Sequence, residues 1–293
     1  MPTKILLDTD IGSDIDDAVC LAYLLANPKC DLLGITTVSG ESHKRAMLAS
    51  VLCKIAHKNI PIYPGTENPL LGPQKQPLAP QAKALKDWAH KKTFPQGKAI
   101  EFLRKTIHQH PHEIILLSIG PLTNIALLFK TDSTIPSLLK GLVSMCGCFS
   151  NRLPNVGPLE WNALCDPHAT AIVYNTPLKF HRSIGIDITF QVTMDIKQVT
   201  RKFQTKLLQP VLDLAQIWFQ ERDKIIFHDP LAATTIFNNQ ICTFQKGNVN
   251  VELVKRNSLG QTHWSPNSRK TKHEIATSVN PTRFFNHYFS VFT

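Results

Sequence analysis

The sequence DTDIGSDIDDA at residues 8–18 carries five carboxylates within ten positions. The apolar run ILL at residues 5–7 precedes it, and an apolar pattern with helical spacing over residues 18–25 follows. Like charges at this density repel one another unless a positive charge compensates them, and Ca²⁺ and Mg²⁺ are the cations that prefer oxygen ligands. The stretch therefore predicts a metal site after the first strand, where parallel α/β sheets place their sites. A solvated acidic turn with an Asp capping the helix is the alternative.

Segments typical of strands and of helices alternate along the chain. Strands are expected at residues 4–10, 31–39, 60–63, 113–119, 141–146 and 178–186. Helices are expected at residues 16–26, 44–57, 99–108, 125–130, 166–175, 207–222 and 231–237, and the proline-rich residues 66–95 indicate a surface loop. Nearly continuous apolar strands separated by helices predict an α/β fold with an open, mainly parallel, doubly wound sheet flanked by helices. No linker divides residues 1–293, so one domain is expected.

The composition argues against several classes of partner. A net charge of +10 could attract nucleic acid, but the Lys and Arg residues are scattered and form no basic helix. No apolar stretch reaches the length of a membrane span, and the first residues lead into a strand without a secretory signal. The seven cysteines are an odd number without disulfide-scaffold density, which favours reduced thiols. We therefore expect a cytoplasmic protein that binds neither nucleic acid nor membranes.

Three later motifs contain further candidate site residues. SIGPLTN at residues 118–124 lies where a strand ends and a helix begins, and a plain turn would also explain it. EWN at residues 160–162 places a carboxylate and an amide on either side of an aromatic ring, a set that could hold a polyhydroxylated ligand. HDP at residues 228–230 opens a helix, where Asp229 alone could be an N-cap. Together with the acidic stretch, these motifs form one constellation.

In this order the motifs resemble the inosine–uridine type nucleoside hydrolase family. The matching segments are DTDIGSDIDDA, ITTVSG, IGPLTNIALL, EWNALCDP, IGIDIT and FHDPLAA. The similarity spans residues 4–237 and continues more weakly through residues 249–264. The resemblance implies an open α/β fold, hydrolysis of the N-glycosidic bond of ribonucleosides, one tightly bound Ca²⁺, and a homodimer or homotetramer.

The resemblance also implies a set of metal ligands. Asp10 would ligate the Ca²⁺ and act as the base toward its water, whose pKa the ion lowers. Asp17 and Asp229 would be carboxylate ligands. The backbone carbonyl of Ile119 would be another ligand, which leaves its side chain free to vary. Asp8 would orient the loop from outside the ligand set.

Other residues are expected to bind the substrate. Asp16 would accept hydrogen bonds from the ribose hydroxyls, and Glu160 and Asn162 would hold the sugar from its other side. His228 is the candidate acid for the departing base, since an imidazole titrates near neutrality; a role in shape recognition alone is the alternative. Three further residues are expected to face the substrate: Met145, Asn155 and Trp161.

The chain departs from the family pattern at two places. The acidic loop has two extra residues between Gly12 and the paired aspartates. Anchoring the comparison on Gly12 would make Asp14 a site residue, whereas anchoring it on the Asp-Asp-Ala triplet selects Asp16 and Asp17. We prefer the second anchor because the start of the helix sets the direction of that pair. Glu41 stands where the family often has Asn, and this added carboxylate could alter contacts to the sugar.

Two rival functions remain at the level of sequence. A haloacid-dehalogenase-like phosphatase would use Asp8 as its nucleophile, but that hypothesis leaves the motifs at residues 160–162 and 228–229 unexplained. A nucleoside-binding protein of the same fold that has lost turnover is the second rival. All the expected carboxylate ligands are present, which argues against it.

Overall fold

The computed structural model describes residues 1–266 and 271–292. Its strands are β1 (Thr3–Thr9), β2 (Cys30–Thr37), β3 (Ile62–Pro64), β4 (Ile114–Ser118), β5 (Gly141–Met145), β6 (His181–Ile184), β7 (Thr193–Asp195), β8 (Lys224–Ile226), β9 (Cys242–Val251), β10 (Thr262–Pro266) and β11 (His273–Val279). Its helices are α1 (Asp16–Ala26), α2 (Ser42–Ile55), α3 (Ala99–Gln109), α4 (Thr123–Thr131), α5 (Ile135–Leu138), α6 (Trp161–Cys165), α7 (Pro167–Asn175), α8 (Ile186–Thr189), α9 (Ile196–Lys202), α10 (Gln209–Trp218), α11 (His228–Phe237) and α12 (Pro281–Phe289). Two 3-10 helices cover Pro80–Asp87 and Arg256–Ser258.

Among the described residues, the main sheet has nine strands in the order β10-β9-β11-β6-β5-β4-β1-β2-β3. Strand β1 pairs in parallel with β2 on one side and with β4 on the other. Seven neighbouring strands of this sheet run in parallel: β3, β2, β1, β4, β5, β6 and β11. Strand β9 runs antiparallel to both β10 and β11. The chain moves outward from β1 to β3 and then returns to β4, so the strand order reverses between β1 and β4. This is the topological switch point at which such sheets place their sites.

Hydrophobic cores cover both faces of the sheet. Ile5 and Leu7 of β1 pack into one core, with residues of α1, α2, α10 and α11. Leu6 points to the opposite face and packs with residues of α3, α4 and α7. Successive side chains of a strand alternate between faces, so a strand covered on both sides must be apolar throughout. The predicted open, mainly parallel sheet flanked by helices is confirmed.

Several predicted boundaries differ from the structure. The strand expected at residues 178–186 is shorter, because the chain turns at Gly185 and Ile186–Thr189 forms α8. The helix expected at residues 207–222 begins at Gln209, with Pro210 in its first turn, and ends at Trp218. Strand β11 was not predicted from the sequence. Its pairing with β6 and β9 depends on long-range contacts that its mixed polar sequence does not signal.

The surface loop predicted for residues 66–95 contains a regular element, the 3-10 helix Pro80–Asp87. Pro80 suits the first turn because it lacks the amide that a helix start leaves unpaired. Gln81, Ala84 and Leu85 are buried, and the helix packs against α2 and α10. This stretch is therefore partly integrated into the protein body.

The C-terminal aromatic residues pack on the core as a helix. Phe284 and Tyr288 of α12 are fully buried. The Phe284 ring centroid lies 5.7 Å from that of Phe227, and the Tyr288 hydroxyl donates to the Val19 carbonyl at 3.0 Å. Within residues 1–266 and 271–292, no helix has both the length and the apolar character needed to cross a membrane.

Candidate active site

A cavity of about 500 Å³ lies at the carboxyl ends of β1 and β4. These positions form the switch point of the sheet, so the fold places the cavity where α/β proteins bind ligands. Most of the residues predicted from the sequence line it: Asp10, Asp16, Asp17, Ile119, Met145, Glu160, Trp161, Asn162, His228 and Asp229. Segments more than 200 residues apart in the chain therefore meet at one place.

Three carboxylates converge at one side of the cavity. Asp16 and Asp17 stand in the first turn of α1, and Asp229 stands in the first turn of the adjacent α11. Each offers an oxygen atom within 4.8 Å of the others. The Asp229 amide donates to Asp16 Oδ2 at 3.1 Å, and the Thr9 hydroxyl donates to Asp17 Oδ1 at 2.5 Å. The spacing is suitable for a metal ion. The cluster contains Asp16, which was expected to bind the sugar, and does not contain Asp10, which was expected to be a ligand.

Burial controls the charge of this cluster. Loss of hydration raises the pKa values of Asp16, Asp17 and Asp229 well above the usual range, and the neighbouring carboxylates raise them further. Burial also raises the pKa of Asp14 to about 6. A set of buried carboxylate oxygens that resist ionisation on their own fits a hard divalent cation, which would supply the missing positive charge.

Asp10 follows β1, and its carboxylate lies between Gly120 and Gln76. A Cβ atom at position 120 would be 2.8 Å from Asp10 Oδ1, so only glycine permits the approach of the β4–α4 turn. Asp10 Oδ2 accepts a hydrogen bond from Gln76 Nε2 at 2.6 Å. The buried Arg45 guanidinium donates to the Asp10 backbone carbonyl. The carboxylate is thus held in one orientation from both sides.

Asp8 lies below the cavity and does not line it. It is fully buried and accepts hydrogen bonds from the Thr36 hydroxyl at 2.6 Å and from Asn124 Nδ2 at 2.7 Å. Burial raises its pKa to about 7. Asp8 therefore links β1, β2 and α4. A nucleophile must meet its substrate, so this inaccessible position argues against the phosphatase hypothesis.

Glu160 and Asn162 join the ends of neighbouring strands. Glu160 caps α6, and its carboxylate accepts from the amides of Asn162 at 2.7 Å and Ala163 at 3.0 Å. Asn162 Nδ2 donates to the carbonyls of Ile119 at 2.9 Å and Met145 at 3.0 Å. These bonds connect β4 and β5 to the EWN turn and place its polar groups against the cavity.

Comparison with known proteins assigns this chain to a family. The sequence model of the inosine-uridine preferring nucleoside hydrolases matches residues 5–286. The chain belongs to this family. Its members are hydrolases that act on N-glycosyl bonds, and this chain is therefore such a hydrolase.

Individual relatives agree with this assignment. Uridine nucleosidase 1 of Arabidopsis thaliana is 30% identical over 85% of this chain and 78% of its own length. The inosine-uridine preferring nucleoside hydrolase of Leishmania major is 28% identical over 97% of this chain and 96% of its own. The structure of a purine-preferring ribonucleoside hydrolase from Gardnerella vaginalis superposes with a TM-score of 0.85 at 21% identity, covering 99% of this chain and 98% of that one. The last comparison concerns the fold alone.

His228 of the hydrolase is neutral at physiological pH. It is the first residue of α11, and its Nδ1 lies 2.5 Å from the Thr189 hydroxyl. The Phe190 ring packs against the imidazole at a centroid distance of 5.4 Å. Burial lowers the pKa of His228 to about 4. With Nδ1 engaged by Thr189, Nε2 is the nitrogen left for other partners.

The structure does not bring Asn155 or Glu41 to the cavity. Asn155 lies in a left-handed conformation (φ 62°) and lines a second cavity with Cys148 and Trp264. The Glu41 carboxylate accepts from Lys44 Nζ at 2.5 Å and from the Ala79 amide at 2.9 Å. Glu41 lies outside the lining of the cavity and its oxygens bind the protein itself, so the structure gives no support for a contact between Glu41 and the sugar.

Sequence reasoning missed several residues that line the cavity of this hydrolase: Gln76, Leu78, Ile186, Trp218 and Arg222. Trp218 and Arg222 are four positions apart, one helical turn, at the end of the helix predicted for residues 207–222. That spacing could have placed them on one face, but no local pattern indicates which face meets the site. Gln76 lies in the proline-rich stretch, where the sequence predicts no side-chain direction. Asp14, which anchoring the family comparison on Gly12 would make a site residue, lines the cavity, and its carboxylate accepts a hydrogen bond from the Ile15 amide at 2.6 Å.

Proposed function

We propose that this chain hydrolyses ribonucleosides to ribose and free base in a Ca²⁺-dependent reaction. The observation that carries the proposal is the convergence of Asp16, Asp17 and Asp229 within 4.8 Å at a cavity also lined by Asp10. The cavity, of about 500 Å³, is of the size that binds small ligands. Carboxylates, an amide and an aromatic ring provide the groups that a polyhydroxylated sugar needs.

The metal would be held by this chain's oxygens. Asp10, Asp17 and Asp229 would provide carboxylate ligands, and the Ile119 carbonyl would provide a backbone ligand. Bound Ca²⁺ would lower the pKa of a water molecule and fix the ribose hydroxyls. The Asp10 carboxylate would take the proton of the attacking water as the base.

The sugar would be held from both sides while the bond breaks. Cleavage of a ribosyl C–N bond develops positive charge on the sugar, as in other glycoside hydrolysis. Asp16 would accept hydrogen bonds from the ribose hydroxyls, and Glu160 and Asn162 would contact the opposite side. Trp161 and Met145 would lie against the ligand. These contacts orient the anomeric carbon toward the water.

His228 would assist departure of the base. Because burial lowers its pKa to about 4, the imidazole is neutral near pH 7 and would donate a hydrogen bond to the leaving base. This differs from the role expected from the sequence, an acid that titrates near neutrality. The Thr189 hydroxyl at Nδ1 would hold the ring so that Nε2 faces the cavity. A role in shape recognition without proton donation is the alternative, and the kinetics of a His228 variant separate the two.

The test is release of free ribose from a panel of nucleosides, with metal-stripped protein and with added Ca²⁺. The variant Asp10→Asn should lower turnover by about 10² to 10⁴-fold, the range expected for losing a positioned base. The exposed Asp31→Asn variant is the matched control. Ribose release that persists without metal, or in Asp10→Asn, would contradict the mechanism. Tight nucleoside binding without ribose from any substrate would favour a binding protein.

We further propose that residues 1–293 form one domain that assembles as a homodimer or homotetramer in a reducing cytoplasm. The main sheet takes its first strand from Thr3–Thr9 and its last from His273–Val279, which supports one domain. Leu253 and Val254 are exposed apolar side chains available for a subunit contact. All seven cysteines are buried and unpaired, which supports a reducing compartment. Light scattering coupled to gel filtration measures the assembly.

A further inference from the structure

One side chain from the proline-rich stretch bridges two residues of the site. Gln76 Nε2 donates to Asp10 Oδ2 at 2.6 Å, and Gln76 Oε1 accepts from the Trp161 indole at 2.6 Å. Among the side chains, only those of Asn and Gln offer an amide donor and a carbonyl acceptor on one carbon. Gln76 therefore connects the predicted base to the aromatic residue of the EWN motif.

The backbone next to Gln76 is fixed by Arg45, which is fully buried. Arg45 Nη2 donates to the Leu78 carbonyl at 2.9 Å, and its Nε donates to the Gly40 carbonyl at 2.8 Å. Another nitrogen, Nη1, donates to the Asp10 carbonyl and to the Ser13 hydroxyl. A single guanidinium thus ties the acidic loop, the turn before α2 and residue 78 together.

The two departures from the family pattern reinforce this connection. Glu41 accepts from the Ala79 amide at 2.9 Å. The Gln81 amide donates to the Gly12 carbonyl at 3.0 Å, and Gln81 Nε2 donates to the Ser13 carbonyl at 3.1 Å. Both the lengthened acidic loop and the added carboxylate at position 41 are therefore used to hold residues 78–81. We call Arg45, Glu41 and Gln81 the clamp.

We propose that Gln76 is a positioning residue for Asp10 and Trp161, and that the clamp makes residues 76–81 a fixed wall of the cavity. The inference rests on the proposed function for the role of Asp10. With Oδ2 bound to Gln76 and Oδ1 facing the β4–α4 turn, the Asp10 carboxylate cannot rotate freely. The same amide fixes the Trp161 ring at the edge of the cavity, where 47% of this residue is exposed.

Substitution at position 76 tests the bridge through two independent measurements. In Gln76→Ala the Trp161 indole loses its acceptor, so the Trp161 emission, obtained as the difference from matched Trp161→Phe proteins, should shift in metal-free and Ca²⁺-loaded protein alike. The kcat for ribose release should fall by about tenfold to a hundredfold, with a smaller change in KM, as expected for losing a hydrogen bond to a charged group. The control is Gln204→Ala, an exposed glutamine outside the cavity lining.

A conservative variant separates positioning from general damage. Gln76→Glu keeps the size and the acceptor but replaces the donor facing Asp10 with a like charge. It should retain most of the Trp161 emission and still lose kcat. If Gln76→Ala matches Gln204→Ala in both emission and kcat, the bridge has no positioning role and the proposal is wrong.

Hydrogen exchange tests the fixed wall without any use of activity. Glu41→Ala removes the acceptor of the Ala79 amide, so peptides covering residues 76–81 should exchange at least about tenfold faster. Glu41→Gln keeps an acceptor oxygen and should preserve protection, and Glu101→Ala on α3 is the control. Equal exchange in Glu41→Ala and the control would overturn the clamp. If the wild-type protein releases no ribose, the proposed function fails, while emission and exchange still decide this inference.

Discussion

His228 illustrates how burial selects a protonation state at the scale of one residue. The imidazole is enclosed by Thr189 and Phe190, and its pKa is lowered to about 4. Between about pH 5 and pH 8 it is neutral, with one N–H to donate. His228 can therefore donate a hydrogen bond to a departing base without a change in the charge of the protein.

The variant His228→Ala should lower kcat by about 10²-fold with little change in KM, because a group that acts on the leaving base acts mainly in the transition state. Steady-state ribose release measures both constants, and the exposed His263→Ala is the control. A rise in KM at unchanged kcat would instead assign His228 to shape recognition.

At the scale of elements, the turn between β1 and α1 contains buried carboxylates whose ionisation is disfavoured by lost hydration and by mutual repulsion. Burial raises the pKa of Asp14, in this turn, to about 6 and that of Asp8, near the end of β1, to about 7, both above the usual range of a carboxyl group. An acid whose pKa is raised by folding binds more protons in the folded state, so its contribution to stability is lost as the pH rises through that interval. Metal-free protein should thus become less stable between about pH 4 and pH 7.

Added Ca²⁺ should offset this loss, because the ion would bind the ionised carboxylates of Asp10, Asp17 and Asp229, whose pKa values burial also raises, and would compete with protons for their oxygens. The gain in Tm when CaCl₂ is added to metal-stripped protein should be larger near pH 8 than near pH 5. Differential scanning fluorimetry measures the gain, and taking the difference cancels the other titrating groups. Asp17→Asn should abolish most of it. An equal gain at both pH values would contradict a carboxylate site.

At the scale of the whole molecule, the C-terminal helix α12 packs against the core side of the candidate active site. Phe284 and Tyr288 of α12 pack around Phe227, the residue before His228 and Asp229. The core side of the HDP turn is therefore built by residues more than 50 positions further along the chain. Removing this packing should loosen both the fold and the turn.

Phe284→Ala should lower the free energy of unfolding by about 3–5 kcal/mol, the usual range for truncating a buried phenylalanine. Chemical denaturation measures the change. The exposed Leu71→Ala should change it by less than about 0.5 kcal/mol. A value for Phe284→Ala as small as that of the control would mean that α12 is not part of the cooperative core.

Local sequence was informative wherever the physical cause was local. The apolar β1, its acidic turn and the start of α1 at Asp16 follow from hydrophobic pattern and helix geometry within about 25 residues. The motifs at residues 118–124, 160–162 and 228–230 were each weak alone and gained meaning only in combination. By contrast β11, with its mixed polar sequence, depends on neighbours supplied by distant segments.

The sequence by itself determined the alternation of strands and helices, the family, and the side chains available for chemistry, since each depends on residue type and spacing. Only the tertiary structure decided which of those side chains meet. It placed Asp229 beside Asp16, left Asn155 in a separate cavity, and turned Glu41 from a candidate sugar contact into an acceptor for Ala79. It also brought Gln76 to Asp10. Long-range packing sets these distances, and no periodicity within one segment encodes them.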